Sequence, residues 1–280
     1  MRVPTKRPNT AAYQYPDHLR SQVLAAPKAP GVYLFYSDNN DLPLYIGKSI
    51  DIRARLLSHL RTPAEARLLQ QARRIEYRQT AGEIGALLLE SRLIKELQPL
   101  TNKRLRRQRR LCSIQLVNDN VELVDTTSLS SGAELYGLFR SRKAATQALL
   151  KLADEYQLCL THLGIERPNS RPCFRAQLGK CAGACYGGET VQTHNARLRQ
   201  ALQGWIVHHW PYAGPIALHE TFEDLEDYHV INQWHYLGTY SDAQQARTAS
   251  TQAVQPFDAD SYRILMRPVL FGSAQLIKLF

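Results

Sequence analysis

"PLYIGKSIDIRARLLSHL", residues 43–60, passes from a strand-like stretch through a glycine into a basic helix. Tyr45 and Ile46 favour a pleated strand. Gly47 permits the close approach of another group. Ile52, Leu56 and Leu60 recur every four residues, as on one face of a helix. An aromatic hydroxyl and Lys48 therefore stand where a strand gives way to a helix. On the plainer reading this is a strand end with a solvated charge. On the functional one the turn faces a phosphate.

The flanking sequence completes a small fold. "GVYLFY" (31–36) is rich in β-branched and aromatic residues, "SDNND" (37–41) is a polar turn, and "LPLYIG" (42–47) is a second strand. Two strands this close predict an antiparallel hairpin. A short helix over 15–26 is stopped by Pro27 and Pro30. A helix near 64–72, a third strand over 74–80 and a long helix over 82–98, ending before Pro99, follow. The expected class is α+β, a small antiparallel sheet flanked by helices, with a second α+β region holding a four-cysteine metal site. The expected division is an arm and helix (1–26), a first domain (27–102), a basic linker (103–111) and a C-terminal α+β domain (112–280) containing the cysteines. In the last, a hairpin is predicted over 112–125 with its turn at Asn118 to Asn120. Helices are predicted over 142–157 and 195–209, and strands near 215–220, 227–236 and 261–267. "YGLFRSRKAATQAL" (136–149) and "YLGTYSDAQQARTA" (236–249) echo each other faintly.

Thirty-five Lys and Arg against 25 Asp and Glu leave a net charge of +10, which favours a polyanionic partner. "KRLRRQRR" (103–110) holds Lys103, Arg104, Arg106, Arg107, Arg109 and Arg110. Such a run is either a solvated linker or a set of phosphate contacts, and the latter predicts strongly salt-dependent binding. Lys48 and Arg53 are further candidates for contact with DNA. No apolar run is long enough to span a bilayer, and "MRVPTKRPNT" lacks the apolar core of a secretory signal. A cytoplasmic monomer is expected. Nothing resembles a Walker loop or a dinucleotide fingerprint.

Three groups of residues carry chemistry. Arg55 and His59 are four apart and share a helix face, and a guanidinium can fork two bonds to phosphate oxygens. Glu90 has Ala86, Leu87, Leu93 and Ile94 as its helical neighbours. A carboxylate there either pairs with an arginine or holds a hard divalent ion. Cys159, Cys173, Cys181 and Cys185 are separated by 13, 7 and 3 residues. Four thiolates at this spacing suit Zn²⁺ or an iron–sulfur cluster. Cys112 stands apart as a core residue, and His208–His209 reads as an exposed helix end.

"APGVYLF", "LYIGKS", "ALLLESRLIK" and "QPLTNKRL" resemble, in order and spacing, the GIY-YIG nuclease domain of the UvrC excision-repair nucleases. The likeness continues through "RPCFRAQLGKCAGAC" and covers roughly residues 27–200. Among these proteins the chain is most similar to the stand-alone UvrC homologues of the Cho type, lacking room for the RNase H-like nuclease and helix-hairpin-helix repeats. The resemblance implies an endonuclease making only the incision 3′ to a lesion, on damaged double-stranded DNA loaded with UvrB by UvrA.

Carried over by position, the resemblance implies that Tyr45 helps deprotonate water and that Tyr33 positions it. Arg55 and Lys48 hold the scissile phosphate, Glu90 binds Mg²⁺ or Mn²⁺, and Asn102 organises the site. UvrC proteins often have Tyr at the position of His59, which leaves open whether His59 shares base duty or only contacts phosphate. A free phenol titrates near about 10, so Arg55, Lys48 and the metal are expected to lower the Tyr45 value. The cysteine segment implies a [4Fe–4S] cluster, with Zn²⁺ as the alternative. A GIY-YIG nuclease of another DNA pathway and an inactive DNA-binding scaffold are the competing functions. The intact Tyr33, Tyr45, Arg55, Glu90 and Asn102 argue against the scaffold.

Overall fold

Every side chain of strand β1 (Gly31–Tyr36) is buried, so both faces of this strand must be covered. Successive residues alternate faces. Tyr33 and Phe35 pack with Val23 of α1 (Arg20–Ala25) and with Ile52, Leu56 and Leu60 of α2 (Ile52–Leu60). Strand β2 (Tyr45–Ser49) follows β1 as the predicted hairpin partner, and α3 (Ala66–Gln71) leads into β3 (Arg74–Gln79). Val32 and Leu34 face the other way, onto Ile46 and onto Leu93 and Ile94 of α4 (Glu83–Leu97). The order is β2-β1-β3, all antiparallel, and the register sets Tyr33 opposite Gly47. Strand β2 is thus an edge strand beside two helices.

The structure is a computed structural model that describes residues 16–38, 41–102, 111–126, 134–168, 171–251 and 257–280. The basic run 103–110 lies outside the described residues. Among the described residues no helix is long and apolar enough to cross a membrane.

A second sheet has the order β5-β4-β6, from β4 (Leu111–Val117), β5 (Asn120–Thr126) and β6 (Leu135–Phe139). The β4–β5 turn falls where predicted, with Asn118 and Asp119 at φ 47° and 67°. Helix α5 (Arg142–Glu155), α6 (Phe174–Gln177) in the cysteine segment and α7 (Val191–Leu202) follow. Ile114, Leu149, Leu152, Leu198 and Leu202 form the shared core. A third sheet has the order β10-β7-β8-β9, from β7 (Ile216–Phe222), β8 (Leu225–Asn232), β9 (His235–Tyr240) and β10 (Gln275–Lys278). Helices α8 (Ala243–Ala249) and α9 (Ala259–Phe271) join β9 to β10, and the core centres on fully buried Trp234.

Three expectations differ from this. The strand expected near 261–267 lies within α9, because Tyr262, Leu265 and Val269 are spaced three and four apart and bury one helical face. The strand expected over 227–236 breaks at Gln233 and Trp234, both at positive φ, into β8 and β9. The helix expected to reach 209 ends at Leu202, so His208 sits on extended chain, its N–H donating to the Tyr262 hydroxyl at 2.8 Å. The echo between 136–149 and 236–249 is geometric only. Both segments carry a glycine at positive φ within a strand that leads to a capped helix, yet β6 pairs with the first strand of the preceding hairpin, β4, and β9 with the second, β8.

Helix α4 also packs on α9. Lys95 Nζ donates to both oxygens of Asp258 at 2.7 Å and lies 3.2 Å from Asp260. Burial pushes the Asp258 carboxyl up, but hydrogen bonds from Lys95 and Ser261 outweigh it and hold it below its ordinary value. Lys95→Met should therefore destabilise the fold by roughly 1–3 kcal/mol, less than a fully buried pair loses, because each partner keeps some contact with water. A depressed folded value means that this stability is present above about pH 4 and lost as pH falls further. Denaturant midpoints of the two proteins at pH 7 and pH 3 check both statements.

Candidate active site

The register that sets Tyr33 opposite Gly47 explains the glycine. A Cβ at residue 47 would overlap the Tyr33 ring and hydroxyl and come within 2.9 Å of Tyr45 Cε1. Glycine is needed here for close approach, and it lets the Tyr33 phenol lie across β2.

Under that phenol runs a buried hydrogen-bonded chain. The Tyr33 hydroxyl donates to His59 Nε2 at 2.6 Å, and His59 Nδ1–H donates to the Glu65 carboxylate. An ionised carboxylate only accepts, so it selects this tautomer and leaves Nε2 free to accept. Tyr33 and His59 are each 1% exposed. Burial pushes the His59 value below its ordinary range, and Glu65 offsets this only in part. The imidazole is therefore neutral at neutral pH and able to take a proton. Burial likewise pushes Tyr33 far upward, against the hydrogen bond it receives from Arg55. Arg55 remains exposed to solvent. Of the two roles left open for His59, contact with phosphate is the one its burial removes.

Tyr45 is half-buried, its ring centroid 6.2 Å from that of Tyr33, and the two hydroxyls are hydrogen-bonded. Its value is raised, first by burial and then by the negative charge of Glu90, and Arg55 compensates only in part. The side chains alone therefore do not lower this phenol: desolvation outweighs Arg55.

Glu90 accepts a hydrogen bond from the backbone N–H of Lys48. Burial raises its value, with Lys48 as the partial offset. Among the described residues no arginine ion pair neutralises it. Lys48 Nζ lies 2.5 Å from Glu83 Oε1, an exposed pair that a phosphate can displace. Asn102 accepts from Ile46 N–H at 2.9 Å and donates to Ile46 C=O at 2.8 Å. Both ends of its amide are thus committed to holding β2. Arg53 donates its Nε to the Ala26 carbonyl at 2.6 Å, so this group braces α2 against the preceding chain. Lys103, Arg104, Arg106, Arg107, Arg109 and Arg110 lie outside the described residues.

The four cysteines meet as the spacing suggests. The sulfurs of Cys159, Cys173, Cys181 and Cys185 all lie within 4.8 Å of one another. Cys173 N–H and Gly183 N–H point at the sulfurs of Cys185 and Cys181, at 3.5 and 3.4 Å. Burial pushes Cys181 up to about 12. Buried His194 accepts from Cys159 N–H at 3.1 Å and fixes that residue's backbone. An all-sulfur donor set with N–H groups aimed at it fits a thiophilic metal centre. Cys112 is buried in β4, as a core residue should be.

The sequence reading did not single out Glu65. Its only local signal is an acid shortly beyond a helix whose last turn carries a histidine, which many surfaces share.

Three family models match the chain: the UvrC-like GIY-YIG domain over residues 29–103, the UvrC/Cho excinuclease middle domain over 95–204, and the Excinuclease Cho C-terminal domain over 215–280. The chain is 50% identical to Excinuclease cho of Salmonella typhi over 272 residues, which covers 96% of this chain and 92% of that protein. It is 49% identical to Excinuclease cho of Escherichia coli (strain K12) over the same coverage. The magnesium-bound GIY-YIG N-terminal endonuclease domain of UvrC from Thermotoga maritima is 34% identical, covering 30% of this chain and 94% of that one, at a TM-score of 0.27. The chain belongs to the excinuclease Cho family, the UvrC-like GIY-YIG endonucleases of nucleotide excision repair.

Proposed function

We propose that this endonuclease hydrolyses one phosphodiester on the 3′ side of a lesion, on double-stranded DNA loaded with UvrB by UvrA, and that it acts as a cytoplasmic monomer. One observation carries the chemistry. A buried proton-accepting chain and a half-buried carboxylate meet at the same edge strand, β2. The restriction to UvrB-loaded damage is supported by the excision-repair family to which the chain belongs.

Tyr45 is the more accessible phenol and faces the attacking water. It takes the water's proton as its own passes to Tyr33, and the Tyr33 proton passes to His59 Nε2. Neither phenol need ionise, because the neutral imidazole is the acceptor and Glu65 stabilises the imidazolium that forms. Arg55 and Lys48, both reachable from solvent, hold the phosphate oxygens. Glu90 is the ligand for Mg²⁺ or Mn²⁺, which when bound would stabilise the leaving oxygen and the charge on the phosphoryl group. Asn102 keeps Tyr45 and Lys48 in register by fixing the peptide between them. Residues 103–110 supply phosphate contacts along the duplex.

The cysteine centre is proposed to hold a [4Fe–4S] cluster that pins the loop-rich segment 159–185, on the strength of its four sulfurs and N–H···S bonds. Zinc is the second reading, because sulfurs within 4.8 Å of one another suit a single ion bound about 2.3 Å from each. The division of the chain into an arm (1–26), a nuclease domain (27–102), a basic linker (103–111) and a C-terminal region (112–280) belongs to this proposal. That C-terminal region carries two sheets.

A nicking assay on an end-labelled duplex with one lesion, varying UvrA, UvrB and Mg²⁺ independently, tests the function. Cuts 3′ to the lesion that require UvrB are expected; equal cutting of undamaged or branched DNA without it would assign another DNA pathway. In the same assay Tyr45→Phe, His59→Gln and Glu90→Ala should each slow nicking by about 10²-fold or more while DNA binding persists. Near-native cutting by Glu90→Ala would remove the metal assignment. Because His59 must be neutral to accept a proton, the rate should rise with pH through its depressed value and have levelled off by about pH 7.5. A rate still climbing above pH 8 would assign the base to a phenol. Anaerobically purified protein should be brown, with iron and acid-labile sulfide; colourless protein with one zinc per chain would select the second reading.

A further inference from the structure

Helix α4 carries Glu90, yet its own sequence leaves its start uncapped. The N-cap residue is Gly82, which has no side chain to accept from the first-turn amides. The missing acceptors come from the third sheet. Glu220 on β7 accepts from Ile84 N–H at 3.0 Å and from Gly85 N–H at 2.7 Å. Asp227 on β8 accepts from Ala81 N–H at 2.7 Å. Fully buried His229 lies behind them, donating Nε2–H to Glu220 at 2.9 Å, with its Nδ1 2.8 Å from the Thr239 hydroxyl.

The two glycines of "GEIG" (82–85) make room for these carboxylates. A Cβ at Gly82 would fall on the Glu220 carboxylate, 2.8 Å from Oε2. A Cβ at Gly85 would come 3.1 Å from Asp227 Oδ2 and from the His229 ring. Between the glycines, Glu83 reaches across to Lys48 Nζ. Glu90 follows seven residues later, which at 3.6 residues per turn returns to the same face, and it takes the Lys48 backbone N–H. Whatever fixes the rotation of the first turn of α4 therefore fixes where the Glu90 carboxylate sits.

We propose that the β7–β8 hairpin is a cap delivered from the C-terminal domain, and that Glu220 and Asp227 are positioning residues that set α4 so that the Glu90 carboxylate sits at the β2 edge beside Lys48. The unaccounted-for C-terminal sheet is then a working part of the nuclease. This rests on Glu90 as the metal ligand.

The test uses the full-length chain. Amide exchange of Ile84 and Gly85 and direct Mn²⁺ binding, followed by the loss of the free-ion resonance signal, are measured alongside nicking. Glu220→Ala should unprotect both amides and weaken Mn²⁺ binding by about 10-fold or more, the usual loss when an orienting partner of a metal ligand is removed. A local cap should repair this. Gly82 is in extended backbone (φ −176°), so Gly82→Ser in the Glu220→Ala background has space for its Cβ and can accept from the same amides. Recovery to within about threefold of native Mn²⁺ affinity is expected. In the native background Gly82→Ser should instead weaken binding, since its Cβ meets Glu220. Should Glu220→Ala fail to fold, Asp227→Ala removes the acceptor of Ala81 N–H and is read by exchange of that amide and by Mn²⁺ binding. Unchanged Mn²⁺ affinity in a folded Glu220→Ala or Asp227→Ala protein overturns the proposal, as does a Glu220→Ala loss that Gly82→Ser does not repair. Glu90→Gln run in parallel separates the premises. If it binds Mn²⁺ normally, the metal assignment has failed and takes the cap with it; if it does not while Glu220→Ala does, only the cap falls.

Discussion

Strand β2 is the edge of its sheet, and the outward-facing peptide groups of an edge strand need partners. Here they are met by side chains rather than by another strand. Asn102 takes both polar groups of Ile46, and Glu90 takes the N–H of Lys48. The edge is thereby closed to further pairing while its Tyr45 and Lys48 side chains stay available. Most of the site follows from that requirement: it brings the helix bearing Glu90 and the segment bearing Asn102 onto the strand that carries Tyr45.

The pleat then sorts the chemistry. Alternation along β2 sends Tyr45 and Gly47 toward α2, and Ile46 and Lys48 toward α4. On the first side Tyr33, His59 and Glu65 are hydrogen-bonded in line, the relay proposed for the proton. The carboxylate lies on the second. Burial acts differently on the two kinds of group, because it disfavours the charged form of each. It keeps His59 neutral and basic, and it makes both phenols poor acids.

Helix α4 connects this site to the rest of the chain. Its first turn is held by Glu220 and Asp227 and its last by Asp258 and Asp260 through Lys95. Acids at the start of a helix also complement its dipole. The third sheet therefore grips the helix at its start and the head of α9 grips it at its end, with Glu90 between.

Much of the nuclease domain was legible in the residues themselves. The hairpin, α2 and α4 follow from hydrophobic periods of two and of roughly four, which depend only on near neighbours. The clustering of Cys159, Cys173, Cys181 and Cys185 was legible from residue type and spacing. Where short-range signals conflicted, they misled. Aromatic and β-branched residues at 261–267 suggested a strand, yet their apolar spacing buries one face of α9. What the sequence alone determined, then, is which residues are present and which local conformations they prefer. Tertiary structure alone decided that His59 is buried and neutral, that burial opposes ionisation of Tyr45, that Glu65 completes the chain, and that the cap for Gly82 comes from Glu220. The physical reason is that desolvation and hydrogen bonding to distant segments arise only once the chain has closed around a group, and neither leaves a trace in adjacent residues.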